Sequence, residues 1–113
     1  MSEKRAMRLE FYRDSAGDPR ARCKGRGEEL AGFLESDLQG SGQGGRAILR
    51  AIDRIEAGKL DRREITGNSY TLTLSPAGAS LVNENAEKAK PYELSLAELK
   101  QAVADWTAFV DED

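Results

Sequence analysis

Tyr70-Thr71-Leu72-Thr73-Leu74-Ser75-Pro76-Ala77-Gly78-Ala79-Ser80-Leu81-Val82 is the stretch on which the fold turns. Tyr70, Leu72 and Leu74 alternate with Thr71 and Thr73, the period of two that a strand with one buried face requires. Ser75-Pro76-Ala77-Gly78 carries turn chemistry, because proline pre-sets one backbone angle and glycine reaches conformations closed to other residues. Ala79-Ser80-Leu81-Val82 then returns as a further strand. Upstream, Gly67-Asn68 is a tight turn, and Ile65 before it extends the strand region.

The same alternation opens the chain. Met7, Leu9 and Phe11 stand against Arg8, Glu10 and Tyr12, and the turn residues Asp14-Ser15-Ala16-Gly17-Asp18-Pro19 follow. Ala21 and Cys23 then face one way, with Arg20, Arg22 and Lys24 facing the other, so an antiparallel hairpin is expected. Gly25 and Gly27 break it. Helical spacing runs from Glu28 to Leu38, with Leu30, Phe33, Leu34 and Leu38 on one side and the acids Glu28 and Glu29 in the first turn, where the helix dipole favours them. Gly40 to Gly45 reads as a glycine-rich connector.

A second helix is expected from Arg46 to Ala57, with Ile48, Leu49, Ile52 and Ile55 inward and Gly58 as its stop. Residues 83–90 read as a polar loop, with a turn of helix over Glu84 to Lys90 as the alternative. The last helix has the clearest signature: Ser95 with Glu98 three residues on is a capping box, Leu94 and Leu99 form a hydrophobic staple, and Leu96, Leu99, Val103, Trp106 and Val110 make its stripe. The order is ββααβββα. Strand runs separated by helix runs imply an α+β fold: an antiparallel sheet of four to five strands with three helices on one face. The chain is read as a single domain over 1–113, with residues 1–6 disordered.

Composition narrows the chemistry. The 113 residues include no histidine and one cysteine. Ser-His-Asp and Cys-His arrangements, cysteine zinc clusters and an internal disulfide are thereby excluded. No apolar run approaches the ~20 residues a membrane helix needs, and no signal-peptide pattern follows Met1, so a cytoplasmic location without membrane association is expected. Residues 1–27 hold eight basic and four acidic side chains, a net of +4, whereas residues 91–113 hold six acids and one lysine, a net of −5. These ends either neutralise each other or present two faces of opposite sign.

Two cationic constellations stand out. Alternation places Arg20, Arg22 and Lys24 on one hairpin face with Arg8 and Tyr12 beside them, the mixture of cations and an aromatic that binds single-stranded nucleic acid. A sequence pI of about 5.1 opposes that use. Acids of the last helix would neutralise the row. Arg46, Arg50 and Arg54 repeat every four residues along the second helix, a solvated face or a partner surface. Gly40 to Gly45 matches G-x-G-x-x-G in form only, and no cofactor or metal is expected. Asp14 and Asp18 are turn carboxylates, and Cys23, Trp106 and Phe109 are core residues by position.

Glu10-Phe11-Tyr12-Arg13-Asp14 with Gly17, Gly67-Asn68-Ser69-Tyr70-Thr71-Leu72, and Tyr92 to Leu96 leading to Trp106 and Phe109 together resemble the bacterial YacL family of small uncharacterised proteins, over residues 8–110. The glycine-rich link and the arginine content depart from that pattern. The resemblance implies a soluble bacterial protein with no established enzymatic activity, and transfers no catalytic residue.

The expected function is therefore non-enzymatic binding or regulation in the cytoplasm through contact with another protein. Two alternatives are an immunity or inhibitor protein covering a basic nuclease site with Asp105, Asp111, Glu112 and Asp113, and an RNA- or ribosome-associated protein using the basic hairpin face.

Overall fold

The computed structural model describes residues 8–24, 27–40, 42–85 and 90–111. Expectations at residues 1–7, Gly25, Ser41, residues 86–89, Glu112 and Asp113, and for the side chains of Arg8 and Lys24, lie outside that set. Strands β1 (Arg8–Arg13) and β2 (Pro19–Lys24) are followed by α1 (Glu28–Phe33), which runs on into a π-helical turn, Leu34–Leu38. Then come α2 (Gly42–Glu56), β3 (Arg63–Thr66), β4 (Tyr70–Ser75), β5 (Gly78–Asn83), β6 (Tyr92–Leu94) and α3 (Leu96–Asp111). The class is α+β with three helices, in the order ββααββββα.

The strands divide between two sheets. β1 and β2 form an isolated antiparallel hairpin, with Arg8 opposite Lys24, Glu10 opposite Arg22 and Tyr12 opposite Arg20. A four-stranded antiparallel sheet runs β3-β4-β5-β6. Its inner face carries Tyr70, Leu72, Leu74, Ala79, Leu81 and Leu94, all buried, while Thr71, Thr73 and Ser80 on the other face are only half-buried. α1 packs on both β2 and β5, and α3 packs on α2, β1 and β5, so the helices touch both sheets.

Trp106 of α3 is fully buried where these layers meet. Its ring meets that of Phe11 edge to face at 5.2 Å, and its Nε1–H donates to the Gln39 carbonyl at 2.9 Å. An indole is buried at low cost only when that donor is satisfied. The α3 capping box is in place, with Ser95 N donating to Glu98 Oε1 and Glu98 N to Ser95 Oγ, each at 3.0 Å. Lys100 joins α3 to α2 through Asp53 and Glu56, each at 3.3 Å, and these bonds hold its ammonium further toward the charged form.

The connector reading of Gly40 to Gly45 is corrected, because α2 begins at Gly42 and takes in Gly44 and Gly45. Close approach to α3 explains Gly45. A Cβ on Gly45 would collide with Thr107 Oγ1, whereas one on Gly42 would meet only the exposed, movable ends of Arg46 and Asp111. The glycine at position 45 lets the two helices meet at a distance that a side chain would forbid. At the other end Gly58, with φ of 76°, stops α2 as its position suggests.

Candidate functional site

Local geometry aims the hairpin's side chains. Asp14 Oδ1 accepts from Ala16 N and Asp18 N, each at 3.0 Å, and Asp14 N donates to Asp18 O at 3.0 Å, which fixes the turn and the register behind it. Asp14 and Asp18 thus shape the turn. Phe11, Ala21 and Cys23 face the core, where Ala21 is buried and Phe11 and Cys23 are half-buried against it.

Tyr12, Arg20 and Arg22 share the outward face with Glu10, as the alternation requires. Tyr12 is the exposed large hydrophobic side chain of the described residues, at 36 %. The Arg22 guanidinium lies over its ring, 4.7 Å from the centroid, and donates through Nε to Glu10 Oε1 at 2.9 Å. That hydrogen bond, with the Glu10 charge behind it, raises the arginine's pKa. Arg20 reaches Glu35 at 3.5 Å and Asp14 at 3.8 Å. The acids that neutralise the row therefore come from β1, the hairpin turn and the π-helical turn. The expectation that the last helix would supply them is corrected, because the C-terminal end of α3 meets other cations. Arg13 lies over the Phe109 ring at 5.1 Å and donates to the Phe109 carbonyl at 3.5 Å, and Arg46 pairs with Asp111 at 2.8 Å. The basic start of the chain thus meets its acidic end at Arg13 and Phe109, while the ion pair to Asp111 comes from Arg46, outside residues 1–27.

Along α2 the stripe divides. Arg46 is spent on Asp111, whereas Arg50 and Arg54 are exposed and have no ion pair among the described residues. Asp53 and Glu56, which would have dampened their field, are engaged by Lys100. Asp105 accepts from Gln101 at 2.9 Å.

Two acids that the sequence reading passed over organise this region from the π-helical turn. Glu35 Oε2 accepts from Ala21 N at 2.7 Å, on the outer edge of β2. Asp37 accepts from Ser69 N at 2.9 Å and Tyr70 N at 3.1 Å, closing the β3–β4 turn. Beyond them Gln39 takes φ 53° and ψ −145°, a conformation rare outside glycine, with Nε2 donating to Ser36 O at 2.7 Å and its carbonyl bonded to Trp106. Tyr70, beside Glu29 and Asp37, has its pKa pushed up to about 12, first by burial and then by those acids. Among the described residues no group of three His, Cys, Asp or Glu is placed to hold a metal, and no helix is long and apolar enough to cross a membrane.

These features define an α+β domain whose hairpin presents a tyrosine–arginine pair on its outer face and whose α2 carries two arginines with no ion pair among the described residues. The chain belongs to the uncharacterised protein family UPF0231, whose model matches residues 7–110. No curated protein and no solved structure matches it.

Proposed function

We propose that this chain is a non-enzymatic cytoplasmic protein, akin to the YacL proteins, that acts by holding another protein against the outer face of its hairpin. The observation that carries this reading is Tyr12, exposed with Arg22 stacked on it. Tyrosine and arginine are the residue types that dominate binding energy at protein interfaces. Glu10 already orders the arginine, so less side-chain freedom is lost when a partner arrives.

The alternatives have less support. An RNA platform needs free cations, and Arg20 and Arg22 are both engaged by carboxylates. An inhibitor surface built on the acidic end loses Asp111 to Arg46. One observation favours a second contact surface: Arg50 and Arg54, unpaired among the described residues, fit an acidic protein.

The test is photo-crosslinking in the source cells, with a benzophenone amino acid at position 12 and, as controls, at positions 54 and 73. One protein captured from position 12, and lost on Arg22→Glu, is the expected result. Capture from position 54 alone would move the contact to α2. RNA recovered in place of protein, or no capture at all, would overturn the reading.

A further inference from the structure

The two edges of the hairpin are not alike. The turn bond from Asp14 N to Asp18 O makes those residues a hydrogen-bonded pair, so Tyr12–Arg20 and Glu10–Arg22 are bonded pairs as well. Between them, Arg13–Pro19, Phe11–Ala21 and Leu9–Cys23 turn their main-chain groups outward.

On the β2 side that edge is closed. Pro19 has no N–H, and the Ala21 N–H is held by Glu35 at 2.7 Å. On the β1 side, the N–H and carbonyl groups of Leu9, Phe11 and Arg13 have no hydrogen-bond partner among the described residues. β1 is six residues long and carries neither proline nor a bulge, two of the devices that blunt an edge; its charges are Arg8, Glu10 and Arg13. Leu9 and Phe11 point inward yet stay half-buried.

We propose that β1 pairs with β1 of a second copy of this chain, antiparallel about a two-fold axis through Phe11, joining the two hairpins into one four-stranded sheet. The register follows from the residues. Centred on Phe11, it sets Phe11 against Phe11, Glu10 of one copy against Tyr12 of the other, and Leu9 against Arg13. Every outward donor of one strand then meets an acceptor of the other. A slip of two residues in one direction sets Glu10 against Glu10, a like-charge pair that destabilises a sheet. A slip in the other direction leaves Leu9 without a partner in the strand. Closed two-fold dimers are the commonest assembly, and an isologous contact of this kind cannot propagate. The proposal is independent of the partner-binding reading, although the new sheet would set two Tyr12–Arg22 pairs on one surface.

The experiment is sedimentation of the full chain from micromolar to millimolar concentration, with amide hydrogen exchange read at both ends of that range. A concentration-dependent dimer is expected, with the Leu9, Phe11 and Arg13 amides protected only in the dimer. Arg13→Pro removes an outward donor opposite Pro19, where the hairpin ladder makes no bond, and should weaken the dimer by about tenfold or more. A monomer at all concentrations would overturn the proposal. So would a dimer in which those three amides exchange as fast as in the monomer, and that readout holds even if the proline variant unfolds.

Discussion

Replacing Gly45 by alanine tests how α2 and α3 are held together. An added methyl would run into Thr107 Oγ1 and stand 3.5 Å from both Thr107 Cβ and Val103 Cγ1. Alanine is worth about 1 kcal/mol over glycine inside a helix, so propensity alone favours the change. Overpacking a tight interface costs roughly 1–3 kcal/mol, and the upper figure applies because Thr107 is only 8 % exposed and has little room to turn away. The net expectation is a loss of about 2 kcal/mol, which in a domain of this size lowers Tm by roughly 8 °C. Thr107→Ala should relieve it. Thr107 Oγ1 has no hydrogen-bond partner among the described residues, so removing it forfeits only a methyl group, at about 1 kcal/mol or less. In the double variant the new methyl fills the vacated space, and the two changes should couple favourably by about 2 kcal/mol. Urea unfolding followed by the fluorescence of buried Trp106 measures all four corners of the cycle. Gly45→Ala as stable as the parent, or a double variant no better than the sum of its parts, would refute the close-approach argument.

Alkaline pH should destabilise the fold through Tyr70. Its pKa is about 12 in the folded state against 10.0 ordinarily, so between those values the unfolded chain loses the proton first and stability falls as pH rises. Tyr70→Phe should flatten that part of the pH–stability curve, and Lys100, raised by Glu56 and Asp53, should account for a remaining slope. Gln39→Gly removes the roughly 1–3 kcal/mol cost of φ 53° and ψ −145° but forfeits the Nε2 bond to Ser36 O, worth about 1 kcal/mol, so a net gain of about 1 kcal/mol or less is expected, seen as a higher urea midpoint at unchanged slope. Asp37→Ala leaves the Ser69 and Tyr70 amides without their acceptor and should cost about 2 kcal/mol, with faster amide exchange confined at first to residues 67–70.

What the sequence discloses depends on the range of the interaction involved. Strand alternation in residues 8–24 and 70–82, the Ser95–Glu98 capping box and the Ile48-Ile52-Ile55 stripe are local signals, and each element stands where its signal put it. β6 spans only Tyr92–Leu94, too short for a period to register. The glycines of α2 read as a linker because the need for one at position 45 is decided by Thr107, more than sixty positions away. The site is legible in the same uneven way. Alternation put Tyr12, Arg20 and Arg22 on one face, but nothing in the chain near Glu35 says that its carboxylate will reach Ala21 and Arg20. Asp37 is the extreme case, a lone acid between Ser36 and Leu38 whose role exists only once Ser69 and Tyr70 are folded against it.

Glu35 and Asp37 sit two residues apart in the π-helical turn, and one holds the hairpin while the other holds the four-stranded sheet. The turn is wide because Gln39 N bonds Leu34 O, five positions back, instead of four. Deleting any one residue between Phe33 and Gln39 would restore an ordinary helical turn and swing the following side chains by about 100°. Both carboxylates could not then keep their targets, even if the deleted residue touched neither sheet. The number of residues in this turn, more than the identity of any one of them, sets whether one short segment can hold both sheets at once.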